Sequence, residues 1–126
     1  MAELRSIVHV DDDEDILEIT RMALQLVDDF ELRQFHSGEA ALDAITQAKP
    51  DLLLLDVMMP GITGPELWDS VCSQPGGEGI PAVFVTAKAE EKMSSELRKR
   101  GALDVVTKPF DPMTLGAQLR AAWARL

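Results

Sequence analysis

Three carboxylates, a hydroxyl and an amine could do chemistry in this sequence, because each follows its own apolar run. Asp11 and Asp12 come after Ser6-Ile7-Val8-His9-Val10, and Asp56 comes after Leu52 to Leu55. Thr86 comes after Pro81-Ala82-Val83-Phe84-Val85, and Lys108 closely follows Leu103 to Val106. Carboxylates gathered in one cleft repel one another, so neutral pH demands a cation beside them or shifted pKa values. Hard oxygen ligands in a half-open site suit Mg²⁺, which keeps several waters and shares itself with phosphate oxygens. Lys108 offers a point charge to the same anion and Thr86 a hydroxyl donor. Such a set is equipped for phosphoryl transfer onto a carboxylate, where charge stabilisation and positioning supply most of the catalysis.

The elements that must hold these groups are legible in the pattern. Leu52 to Leu55 has no polar alternation, which predicts a central strand covered on both faces. Pro60-Gly61 then turns the chain. Ser6 to Val10 is a first strand, and Asp11-Asp12-Asp13-Glu14-Asp15 is placed to cap and open a helix. Ile16, Ile19, Ala23, Leu26 and Val27 predict the buried face of that helix, which runs to about Val27 before Asp28-Asp29. Phe30 to Phe35 alternates more and reads as an edge strand. Ser37 is an N-cap for a helix through Ala41, Ile45 and Ala48, closed by Pro50. A third helix carries Leu67, Trp68 and Val71 inward and ends in the loop Ser73-Gln74-Pro75-Gly76-Gly77. The fourth strand is Pro81 to Val85, and a polar fourth helix has Met93 and Leu97 one turn apart and Gly101 as its cap. After a short fifth strand, Leu103 to Val106, one helical face collects Leu115, Leu119, Ala122, Trp123 and Leu126. Five strands alternating with five helices mean a parallel sheet covered by helices on both faces. Ligands of such sheets gather at the carboxyl ends of the strands, where all the reactive groups lie.

The chain of 126 residues reads as one domain, 1–126, long enough to bury about two-thirds of its unfolded surface. A net charge of −10 and a pI near 4.5 argue against direct nucleic-acid binding and against an anionic membrane surface. Cys72 is alone, so no intramolecular disulfide forms; it reads as a buried helix residue in a reducing, cytoplasmic setting. No signal peptide precedes the acidic run, and no apolar stretch reaches the roughly 20 residues that span a bilayer.

Val10-Asp11-Asp12-Asp13, Leu55-Asp56-Val57-Met58-Met59-Pro60-Gly61, Val85-Thr86-Ala87 and Lys108-Pro109-Phe110 together resemble the motifs of a receiver domain of the two-component response-regulator family. The similarity covers essentially the whole chain. It implies a flavodoxin-like doubly wound (βα)5 fold with strand order 2-1-3-4-5. It also implies that Asp56 is the phosphoacceptor, and that Mg²⁺ is held by Asp11, Asp12, Asp56 and the backbone carbonyl of Met58. Thr86, Ala87 and Lys108 would bind the phosphoryl group, Thr86 and the Val105 position would act as the switch, and the Lys108–Pro109 peptide would be cis. The implied partners are a sensor histidine kinase or a histidine phosphotransfer protein. Downstream, a protein target would dock on the face formed by helix four, strand five and helix five. The domain would catalyse only its own phosphorylation and dephosphorylation.

Other readings fit these residues less well. A calcium-binding helix-loop-helix would need Gly where Ile16 stands and Glu where Met22 stands. An aspartyl-phosphate hydrolase of the haloacid-dehalogenase type leaves Asp56 and Lys108-Pro109 unexplained. An FMN carrier would not set an acidic run beside a phosphate. His9, in a buried strand, and His36, at a strand end, read as structural histidines with satisfied partners. One departure from the resembled family matters: Val105 stands where an aromatic usually swings, and the chain has no tyrosine. Signal output is therefore expected to travel through the Ala87-Lys88-Ala89 loop and helix four. The sequence fits a free-standing receiver or a piece of a longer regulator or hybrid kinase, with Met1 favouring a free-standing or N-terminal receiver.

Overall fold

A computed structural model describes residues 3–87 and 91–126, with Glu91 described by its backbone alone. Its five strands are β1 (Ser6–Val10), β2 (Glu31–Phe35), β3 (Leu52–Asp56), β4 (Ala82–Ala87) and β5 (Asp104–Lys108). All pairings are parallel, in the order β2-β1-β3-β4-β5. The helices are α1 (Glu14–Arg21), α2 (Gly38–Ala48), α3 (Gly64–Cys72), α4 (Glu91–Lys99) and α5 (Leu115–Trp123).

Strand alternation divides the core in two. Val8, Val10, Leu53, Leu55, Phe84 and Val105 pack against α2, α3 and α4 through residues such as Ile45, Leu67 and Leu97. Ile7, Leu52, Leu54, Val83, Val85 and Val106 face the other way, onto Ala23, Leu24, Leu115 and Leu119. Every residue of β3 is buried, as its unbroken apolar run requires. Caps fix where the helices begin. The Asp13 carboxylate accepts from the backbone N–H groups of Asp15 and Ile16, and Ser37 Oγ accepts from Ala40. Thr63 and Glu66 form a reciprocal capping box at α3.

The first helix departs from expectation. It is α-helical only to Arg21, and Met22–Val27 forms a π-helical segment. Widening the hydrogen-bonding step from four residues to five carries the following side chains around the axis. Ala23 is buried as expected and Leu24 joins it, whereas Leu26 and Val27, expected inside, are exposed, Leu26 at 70%. Ahead of the segment Thr20 is buried and Ile19, also expected inside, is exposed. Asp28 ends the segment against α5. Its Oδ1 pairs with Arg120 at 3.4 Å, the Arg120 guanidinium stacks 4.2 Å above the Phe30 ring, and a Cβ on Gly116 would collide with Asp28 Oδ2.

Smaller differences have equally local causes. Phe30 is buried just ahead of β2 rather than within it, and β5 runs two residues further than its apolar core, taking in Thr107 and Lys108. Leu126 lies beyond the end of α5 and is exposed, and Cys72, in the last turn of α3, is only half-buried. His36 is exposed. His9 is fully buried but only half satisfied: Nδ1 meets the Gln34 amide at 3.1 Å, while Nε2 has no partner among the described residues. Of the Ala87-Lys88-Ala89 loop, residues 88 and 89 lie outside the described residues.

Candidate functional site

Asp11, Asp12, Asp13, Asp56, Val57, Met58, Thr86, Ala87 and Lys108 line one cleft of about 290 Å³ at the carboxyl ends of the strands. Register explains the convergence. Val10 pairs with Leu55, Asp56 with Val85 and Ala87 with Lys108, so the strand ends step across the sheet into one rim.

Asp11 is fully buried. Its backbone N–H donates to Phe35 across the strands, and its Oδ1 accepts from the Asp13 N–H at 2.9 Å. Asp11 Oδ2 stands 3.1 Å from Lys108 Nζ, an ion pair whose angles do not make a hydrogen bond. The same ammonium donates to Asp56 Oδ1 at 3.2 Å. One oxygen each from Asp11, Asp12 and Asp56 come within 4.8 Å of one another. Burial pushes the Asp56 carboxyl up to about 6, with repulsion from Asp11 adding to it and Lys108 opposing it. Asp11 is raised as well, again chiefly by burial. For Lys108, burial works to lower the pKa, but Asp11 and Asp56 outweigh it and the net shift is upward. Burial, helped by Lys108, drops His9 to about 3, so the imidazole beneath the cleft stays neutral.

This donor set fits a divalent cation. Three carboxylates each bring an oxygen to the same small space, and Asp11 also carries a buried oxygen, Oδ2, without a hydrogen bond among the described residues. The set forms a hard half-cage open on one side. The remaining expected residues are distributed around it. The Lys108–Pro109 peptide is cis. Thr86 is buried and Ala87 exposed at the rim, and the Met58 side chain is 60% exposed. Val105 does not reach the cleft; it is buried beside Leu97 and Phe84, with its carbonyl accepting from Arg98 at 3.5 Å.

Two contributions went unread in the sequence. Asp13 caps α1 as the acidic run predicts, but its backbone N–H also fixes Asp11, which the run does not announce. Gly64 lets α3 begin directly against the strand end. Its N–H donates to the Val57 carbonyl at 3.0 Å, and a Cβ there would collide with the Asp56 carbonyl oxygen. The Thr63-x-x-Glu66 capping signature, with Pro65 inside it, was the available clue.

A 2-1-3-4-5 parallel sheet puts this acid pocket and its lysine at the carboxyl ends of the strands, where doubly wound α/β domains hold their ligands. Comparison with known proteins makes the class specific. The family described as the response regulator receiver domain matches residues 7–120, and the chain belongs to that family. The phosphate regulon transcriptional regulatory protein PhoB of Pseudomonas aeruginosa is 36% identical over 121 residues, 96% of this chain and 52% of that protein. The transcriptional regulatory protein CseB of Streptomyces avermitilis is 36% identical over 126 residues, 99% of this chain and 52% of that protein. The chain thus spans about half the length of these curated relatives. Among solved structures, a putative response regulator from Chloroflexus aurantiacus superimposes with a TM-score of 0.86 at 32% identity, covering 98% of this chain and 100% of that one. The chemotaxis response regulator CheY4 of Vibrio cholerae gives 0.84 at 28% identity, covering 94% and 98%. The haloacid-dehalogenase-type alternative finds no support in these matches. No helix among the described residues is long and apolar enough to cross a membrane.

Proposed function

We propose that this receiver takes a phosphoryl group on Asp56 from the phosphohistidine of a sensor histidine kinase or histidine phosphotransfer protein, or from a small acyl phosphate. The observation that carries this reading is the Lys108 ammonium held between Asp11 and Asp56 in one open cleft. An oxygen of the ionised Asp56 attacks phosphorus, the P–N bond to the imidazole breaks, and the leaving nitrogen keeps its electron pair. Lys108, the Thr86 hydroxyl and the Ala87 backbone receive the phosphoryl oxygens. Asp11, Asp12, Asp56 and the Met58 carbonyl would hold Mg²⁺, which supplies charge neutralisation between nucleophile and phosphate. Asp13 keeps Asp11 in place through its backbone N–H.

On this reading residues 1–126 form one cytoplasmic receiver domain that acts on no other molecule, catalysing only its own acylation and slow hydrolysis. Thr86, drawn toward the phosphoryl group, carries the signal into α4. Val105 is β-branched and short, so its rotation alters little surface. A protein target then reads the α4, β5 and α5 face. The test is incubation with an acyl phosphate and Mg²⁺, followed by mass spectrometry. A phosphoryl mass increment is expected on the wild type and none on Asp56→Asn; equal labelling of both would overturn the assignment.

A further inference from the structure

Lys108 enters the cleft from the last position of β5 and is the one cation among the described residues that line it. Its Nζ stands nearly equidistant from Asp11 Oδ2, at 3.1 Å, and Asp56 Oδ1, at 3.2 Å. Those two acids are the buried pair among the four carboxylates that line the cleft. A Mg²⁺ that took over an oxygen now paired with Lys108 would lie within about 5 Å of Nζ. Two cations that close repel, the more so because Asp11 and Asp56 beside them are buried. Asp11 Oδ2 sharpens the conflict, because it is buried, accepts no hydrogen bond among the described residues and depends on a cation for neutralisation.

We propose that Lys108 is a specificity-determining residue for cation entry. Its tethered ammonium is the resident cation of the metal-free site, surrendering Asp11 to a divalent ion but not to a monovalent one. A sodium or potassium ion brings no more charge than the ammonium it would displace, and it competes with a group held at high effective concentration by its own side chain. A divalent ion brings twice the charge and approaches each oxygen more closely, so it wins the same exchange. Lys108 has room to yield, since its side chain is 23% exposed and sits on a flexible four-carbon stem. Released from Asp11, the ammonium remains beside Asp56, where the phosphoryl group arrives. The inference thus deepens the metal-dependent phosphoacceptor reading of the same cleft and rests on it.

The experiment compares wild type with Lys108→Gln in thermal melts and calorimetric titrations. MgCl2, KCl and tetramethylammonium chloride are used at matched ionic strength. Wild type should be stabilised by Mg²⁺ and respond alike to potassium and to the bulky organic cation. Lys108→Gln should bind Mg²⁺ about tenfold more tightly or better and gain a stabilisation specific to potassium. Unchanged or weaker Mg²⁺ affinity in the variant would overturn the proposal. Should Lys108→Gln not fold without metal, the ¹⁵Nζ resonance of Lys108 in wild type decides: a shift with Mg²⁺ and none with potassium supports the exchange, and no shift with Mg²⁺ refutes it. Labelling by acyl phosphate separates the two readings. If wild type is labelled on Asp56 while Lys108→Gln binds Mg²⁺ like wild type, cation selection falls and phosphorylation stands. If the cation behaviour is as expected but Asp56 is never labelled, phosphorylation falls and selection stands.

Discussion

The two ends of β5 carry opposite arrangements of charge. At its start, Asp104 is served by two guanidinium groups, Arg98 at 3.1 Å and Arg125 at 3.8 Å, and its Oδ1 also accepts from the Val105 N–H at 2.8 Å. Both arginines are more than half exposed, and they also reach the Val105 and Leu103 carbonyls. At the other end of the strand a single ammonium is divided between two buried acids, with a third nearby. A strand of five residues therefore runs from a surplus of bases over acid to a surplus of acid over base. The Asp104 end ties α4, β5 and α5 together and is satisfied as it stands. The Lys108 end is left short of positive charge, and that shortage suits it to hold a metal ion.

Removing one acid from the deficient end should have the largest effect. On the proposed function Asp56→Asn should abolish phosphate uptake and, by deleting a carboxylate whose ionisation the fold opposes, should raise metal-free stability by ~1–3 kcal/mol. Denaturant melts in chelator measure this; a variant less stable than wild type would break the contrast between the two ends.

The pH dependence should follow with a defined sign. Asp56 titrates near 6 in the folded chain against about 3.9 when unfolded. As pH rises through that window the unfolded chain ionises first, and stability is lost. His9, depressed to about 3, works the other way: below about 6.5 the unfolded chain takes its proton first, so stability falls on acidification. Wild type alone would blur the two. The stability difference between Asp56→Asn and wild type isolates Asp56: it should be near zero below about pH 4 and reach its plateau above about pH 6. A difference that shrinks as pH rises would contradict the burial argument.

The satisfied end should be far less sensitive. Asp104→Ala removes two ion pairs to half-exposed arginines and one acceptor, and should cost about 1 kcal/mol while leaving acyl phosphate labelling at wild-type levels. A loss of labelling would show that the two ends of β5 are coupled.

Smallest of all should be Leu26→Gln, within about 0.5 kcal/mol. Its helical spacing marks it for the core, yet the π-helical segment turns it outward. This residue shows where legibility ends. The strands, the alternation and the strand-end chemistry were readable because each depends on a short run of neighbouring residues. Leu52 to Leu55 declares a two-sided strand by itself, and Asp11, Asp56 and Lys108 declare their places by following such runs. The buried face of the first helix was only partly readable. Ala23 is inside as its spacing predicts, but Leu26 and Val27 are turned out by hydrogen-bonding steps that Met22-Ala23-Leu24-Gln25-Leu26-Val27 does not announce. Likewise, the sharing of Lys108 between Asp11 and Asp56 is a matter of Ångström distances across β1, β3 and β5. No local pattern encodes it.

Gly64 has a consequence of a different kind. It contributes no charge, ligand or proton, yet the absence of its side chain is what allows α3 to start against the Asp56 carbonyl. A survey of every single substitution should therefore find position 64 about as intolerant as position 56, though for the opposite reason. At Asp56 the protein needs one particular group, whereas at Gly64 it needs none. Alanine, ordinarily the mildest replacement, should be rejected there as firmly as bulkier residues. Mutational constraint in this domain would then outline where backbones touch as faithfully as where chemistry happens.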